Sequence, residues 1–138
     1  MRLGRRGERI AARLLREVGY DVLARNFRAE AGEIDIVARD GETLCFVEVK
    51  TRRRIGKARP AAAVGKAKQN HIVRVAHRYL REIGRPHIRY RFDIVEVILD
   101  RSGVRDARIW PGAFTEERAK DSPPFPDVFP DEEQAHGD

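Results

Sequence analysis

Apolar residues along this chain change their spacing several times, and each change marks an element. From about Gly4 to Val18 the residues Ile10, Ala11, Leu14, Leu15 and Val18 recur at helical intervals, and Gly19 supplies the stop. Tyr20 to Phe27 reads as a first strand. Gly32 to Arg39 alternates, with Ile34, Ile36 and Ala38 on one side, and Thr43 to Thr51 follows as a run rich in Phe and Val. Asp40-Gly41 between those runs predicts a two-residue hairpin loop. Helical spacing returns from Pro60 to about Ile83. It puts Val64, Ala67, His71, Ile72, Val75, Ala76, Tyr79, Leu80 and Ile83 on one side, before Gly84 and Pro86 end the helix. His87 to Leu99 is a further strand, Ser102-Gly103 a turn, and Val104 to Trp110 a weaker last strand. The order α-β-β-β-α-β-β predicts an α/β fold with a mixed central sheet flanked by helices.

Pairing the hairpin brings chemistry into the pattern. With Asp40 and Gly41 as the loop, Arg39 faces Glu42, Asp35 faces Phe46 and Glu33 faces Glu48. Alternation then places Glu33, Asp35, Val37, Leu44, Phe46, Glu48 and Lys50 on one face. The other face holds Ile34, Ile36, Ala38, Cys45, Val47 and Val49 and is expected to be core. Asp35 and Glu48 become diagonal neighbours with Cα atoms about 7–8 Å apart, so their carboxylates can converge on one ion. Glu33 opposite Glu48 is a like-charge pair that needs something positive between its members. Without it, the face is simply hydrated and Glu33 partners an arginine. Val37, Leu44 and Phe46 on the same side argue against full solvation. Carboxylates without thiolates are what Mg2+ or Mn2+ takes. Lys50 projects to the same side, where an ammonium can orient a water or neutralise charge growing on a phosphate.

Composition narrows the partners. The chain has 138 residues, one domain's worth. It carries 28 Lys and Arg against 22 Asp and Glu, a net charge of +6. Residues 121–138 hold six of those acids, no Lys or Arg, and four of the seven prolines, so the remaining residues carry a net +12. A folded domain over 1–120 and a disordered acidic tail over 121–138 are expected. A body that basic suits nucleic acid, DNA before RNA, although a solvated arginine-rich surface has the same charge. Arg52, Arg53, Arg54, Lys57 and Arg59 follow Lys50 directly and are candidates for phosphate contacts. Cys45 is the one cysteine, which excludes a disulfide framework and Cys-based zinc sites. No apolar run is long enough to span a membrane and no signal-peptide run follows the basic N-terminus, so a cytoplasmic protein is expected. Dinucleotide, P-loop and nucleophile-elbow motifs are missing.

Gly32-Glu33-Ile34-Asp35-Ile36-Val37 followed by Phe46-Val47-Glu48-Val49-Lys50-Thr51-Arg52 resembles the bacterial YraN-like family of endonuclease-like proteins. That family is similar in pattern to the PD-(D/E)XK nucleases, including Holliday-junction resolvases. Gly7-Glu8 with Ala11, Asn26-Phe27-Arg28, Ala76 with Tyr79-Leu80, and Arg91-Phe92-Asp93-Ile94-Val95 also match, so the resemblance covers about residues 4–115. Ile34 stands where the superfamily has proline, and the acidic tail has no counterpart. The resemblance implies a restriction-endonuclease-like αβββαβ core, in the element order read above. It also implies Mg2+ or Mn2+ held by Asp35 and Glu48, Lys50 as catalytic lysine, and a homodimer. Glu8 matches an additional acid of resolvase-like members, and a glutamate in a first helical turn is equally favoured by the helix dipole. Glu33 is expected beside the ion.

Two functions follow. One is a metal-dependent endonuclease hydrolysing phosphodiester bonds in DNA, branched or structured DNA included; the other is a nucleic-acid-binding accessory that keeps the fold without turnover. Among the remaining residues, Gln69 is expected at the surface, His71 and Cys45 in the core, and Trp110 and Phe114 in packing of the last strand rather than against bases. His71, His77, His87 and His136 share no metal-ligand spacing.

Overall fold

The structure is a computed structural model and describes residues 3–53, 64–84 and 87–116. Helix α1 spans Leu3–Glu17 and strands β1 to β3 span Asp21–Ala29, Gly32–Asp40 and Thr43–Arg52. Helix α2 spans Lys66–Glu82, and strands β4 and β5 span Arg89–Asp100 and Gly103–Phe114. The five strands form one sheet in the order β1-β2-β3-β4-β5. β3 and β4 run parallel and every other neighbouring pair is antiparallel. A parallel pair needs a crossover, and α2 lies in that connection. The predicted tail, residues 121–138, lies outside the described residues, as do Arg54, Lys57 and Arg59 of the basic loop.

The sheet is buried on both faces. On one, Ala11, Ala12 and Leu15 of α1 cover Ile36, Ala38, Cys45, Val47, Val95 and Val97. On the other, Ile72, Val73, Val75, Ala76 and Leu80 of α2 cover Val37, Leu44, Phe46, Phe92, Ile94 and Phe114. Phe92 stacks on Phe46 and on Phe114, with ring centroids 5.8 and 5.2 Å apart. Trp110 packs against the same cluster, so the last strand uses its aromatics for packing. Cys45 is buried, and burial first of all pushes its thiol up to about 12, which makes it a core residue. At one corner Arg91 and Asp93 tie β2, β4 and β5 to the turn between α1 and β1. Its guanidinium donates to Asp93, to Asp40 and to the Tyr20 hydroxyl, and Gly112 N–H donates to the same buried Asp93.

Several expectations need correcting. The hairpin loop is Gly41-Glu42, with Asp40 paired to Thr43 and Ala38 to Cys45. Gly41 has φ of 59°, so the glycine takes the first loop position, where a II′ turn needs it, rather than the second. The shift moves every partner by two residues, so the two face sets survive but Asp35 lies across from Glu48 instead of diagonal to it. Ile34 is the exception, because it packs with the α2-side cluster and not with Ile36. Val18 lies beyond α1 and is 54% exposed. The chain leaves the helix there in a Schellman turn, with Tyr20 N–H on Leu15 C=O and Gly19 N–H on Arg16 C=O. α2 starts at Lys66 after Gly65 rather than at Pro60, which lies outside the described residues. Its buried face is turned toward Gln69, Val73 and His77, leaving Ala67, His71 and Ile83 exposed. The core histidine is His77, whose Nε2 meets Glu116 Oε1 at 2.8 Å; the Tyr90 hydroxyl donates to that same oxygen. β5 runs past Trp110 to Phe114.

Candidate functional site

The central hairpin does not stay zipped. Its described pairs end at Ile36 and Val47, while β2 goes on pairing with β1 as far as Gly32 and β3 with β4 as far as Arg52. The sheet therefore forks, and Asp35 stands in the fork. Its Oδ2 accepts a 2.8 Å hydrogen bond from Val49 N–H, a donor that the ladder would otherwise have used. The fork explains Ile34 as well: ahead of Ile36 nothing holds β2 in the plane of β3.

Four carboxyl groups meet around this opening. Glu8 of α1 and Glu33 and Asp35 of β2 bring carboxylate oxygens within 4.8 Å of one another. From β3, Glu48 stands across the fork from Asp35, close enough for its charge to act on the Asp35 carboxyl. Asp35 thus links Glu8 and Glu33 on one side to Glu48 on the other. Burial first, and the Glu48 charge second, raise Asp35 from its ordinary 3.8 to about 7. Val49 N–H and Lys68 pull the other way and do not prevail. Glu8 is also raised, by burial and then by the charges of Asp35 and Glu33, against Arg25 and Arg5. Helix α1 can come this close because Gly7 has no side chain. A Cβ there would overlap the Thr51 hydroxyl on β3.

Cations surround the acids. Lys68 in the first turn of α2 places Nζ 3.3 Å from Glu48, itself 8% exposed. Arg28 Nε donates to Glu33 at 2.7 Å, the arginine partnership that was the alternative to its expected place beside the ion. Lys50 lies two residues beyond Glu48 and next to buried Glu96 in the parallel register. Glu96 is engaged by Arg52 at 3.4 Å, and among the described residues Lys50 makes no ion pair. Arg52, 18% exposed, is thereby held by the fold, whereas Arg53 is exposed. Gln69 is a further correction. It is buried rather than at the surface, and its Nε2 donates to Val64 C=O at 2.7 Å.

The predicted residues Asp35, Glu48, Glu33 and Glu8 are therefore brought together, with Lys50 beside them on β3. Lys68 and Glu96 were not anticipated. The one available signal for Lys68 was its position one helical turn ahead of Ile72, on the helix that follows the basic loop. A donor set made only of carboxylates, one of them driven toward its neutral form by burial and by the Glu48 charge, fits a hard divalent cation. It offers no thiolate for a softer metal.

The fold and this cluster define a class: an α/β domain with a restriction-endonuclease-like core and a partly buried carboxylate cluster where its central hairpin forks. Residues 7–97 match the uncharacterised protein family UPF0102, and the chain belongs to that family, the YraN-like group its motifs resemble. A UPF0102 protein of Chlorobaculum tepidum is 47% identical over 110 residues, 78% of this chain and 85% of the relative. One from Streptomyces griseus is 53% identical over 102 residues, covering 73% and 86%. One from Caldicellulosiruptor saccharolyticus is 42% identical over 113 residues, covering 81% and 96%. No helix among the described residues is long and apolar enough to cross a membrane.

Proposed function

We propose that this protein is a Mg2+- or Mn2+-dependent endonuclease that hydrolyses phosphodiester bonds in DNA. The observation that carries the reading is half-buried Asp35 set across the fork from buried Glu48, beside a lysine that makes no ion pair among the described residues. Asp35 and Glu48, with Glu33 and Glu8 on the α1 side, would hold the ion. When bound, a divalent cation lowers the pKa of a water and stabilises charge growing on a phosphate. Lys50 supplies a fixed positive charge next to the reacting phosphate and orients the attacking water. Lys68 keeps Glu48 directed toward Asp35. Val49 N–H fixes one Asp35 oxygen and leaves the other for the ion.

Supercoiled, single-stranded and four-way-junction DNA, incubated with and without Mg2+ or Mn2+, test the reading. Cleavage should require the metal and fall by about 100-fold or more in Lys50→Ala, the scale seen when one electrostatic stabiliser is removed. Unchanged cleavage in Lys50→Ala or Glu48→Ala would sink the assignment.

A second reading, a nucleic-acid-binding accessory without turnover, is favoured by the Lys68–Glu48 ion pair, which gives Glu48 a cation from the chain itself. A chain that binds DNA in chelator and never binds Mn2+ would support it.

A further inference from the structure

Beside the carboxylates, a cleft of about 680 Å3 opens between the start of α1 and strand β1. Four arginines line it, Arg5 and Arg9 from the helix and Arg25 and Arg28 from the strand, together with Asn26. Glu8 and Glu33 line it too, so the cleft is continuous with the Asp35 cluster. Its arginines outnumber its acids by four to two.

Strict alternation cannot put Arg25 and Arg28 on the same side, because they are three residues apart. The strand achieves it by a local change of phase. Exposed positions run Asp21, Leu23 and Arg25, and then Asn26 and Arg28. The slip falls at Asn26, whose φ of 53° makes it the one described non-glycine residue in the left-handed region. A residue held there stores strain, and such positions collect at functional sites. The flanking pairs Arg25–Ile36 and Phe27–Ile34 bracket Asn26 and Asp35, so the irregularity lies directly beside the forked carboxylate.

The helix contributes a second, independent sign. The first turn of α1 has no acidic residue and carries Arg5 and Arg6, where the helix dipole favours negative charge. An anion from outside would meet both needs. Arg28 is engaged by Glu33, but Arg5 and Arg25 make no ion pair or hydrogen bond among the described residues. The positive charges are also strung out. Arg5 and Arg9 are about 6 Å apart along the helix, and Arg25 and Arg28 about 10 Å apart along the strand. Two such rows suit successive phosphates of a polymer better than one phosphate group.

We infer that this cleft binds a single nucleic-acid strand next to the carboxylate cluster, with its arginines on phosphate oxygens and the Asn26 amide donating to the backbone. The identity of the polymer rests on the endonuclease reading, and its path on the cleft.

Fluorescence anisotropy of the full chain with a fluorescein-labelled single-stranded oligodeoxynucleotide, in chelator and over a range of salt, tests this without turnover. The double variant Arg5→Ala/Arg25→Ala should bind more weakly and flatten the slope of log affinity against log salt by about 1.4, or about 0.7 for each phosphate released. Arg5→Gln/Arg25→Gln keeps the stems and should show the same loss, with melting by circular dichroism to verify the fold. Asn26→Gly accepts the same backbone conformation and should weaken binding without changing the slope. Arg81→Ala, in the last turn of α2, should alter neither. Wild-type affinity and slope in both double variants would overturn the cleft while metal-dependent cleavage still upheld the endonuclease reading. Cleft-dependent binding by a chain that never cleaves would do the reverse.

Discussion

Asp35 is held by Val49 N–H, and burial first and the Glu48 charge second oppose its own charge in the absence of metal. A carboxyl whose folded pKa lies above its unfolded one is more easily protonated in the folded state. Its protonation therefore favours folding fully below the ordinary value of 3.8, and that help is lost as pH rises through about 7. Asp35→Asn keeps an oxygen for Val49 N–H and removes the charge. In chelator at pH 8 the variant should be more stable than wild type by at least about 1.4 kcal/mol, the worth of one pKa unit. The gap should close as pH falls toward 4, as denaturant titrations at both pH values would reveal. A less stable variant at pH 8 would mean that Asp35 is not under this pressure. Asp35, Glu48 and Lys50 were legible in the sequence because strand alternation has a period of two. A loop misplaced by one residue moved partners by two and kept Asp35, Glu48 and Lys50 together, although Ile34 and Glu33 changed sides where the ladder ends. Asn26 was not legible, since alternation assumes the extended conformation that its φ of 53° breaks.

Among the elements, α1 decides whether Glu8 can join β2. Its docking depends on Gly7, which meets Thr51 where a methyl group cannot fit. Gly7→Ala should lower stability by about 1–3 kcal/mol, the usual penalty for overpacking, and the second change Thr51→Ala should recover part of it. Full additivity of the two changes in thermal melts would show that the helix rests on β3 somewhere else. Both helices were legible from their spacing, but the roll of α2 was not. His77 is buried because Glu116 and Tyr90 share its polar contact, a partnership between residues far apart in the chain. Lys68 and Glu96 escaped for the same reason. Each reaches the site through the crossover or the parallel β3–β4 pairing, which local periodicity does not encode.

At the scale of the molecule, helices α1 and α2 cover opposite faces of the sheet, and each contributes an early residue to the fork, Glu8 from α1 and Lys68 from α2. The acids there sit within a body of net charge +12, so the cluster is an anionic opening in a cationic surface. That arrangement draws a polyanion toward the protein and a small cation into the site. Element order and the mixed sheet could be read in advance because the runs were separated by clear turn signals. The fork could not, because it depends on where the β2–β3 ladder stops. Whether the forked acids hold a divalent ion is answered directly by calorimetric titration of the full chain with Mn2+ at neutral pH. Wild type should bind Mn2+, and Asp35→Asn, which remains folded, should lose that binding. Equal binding by both proteins, or none by wild type, would contradict the account.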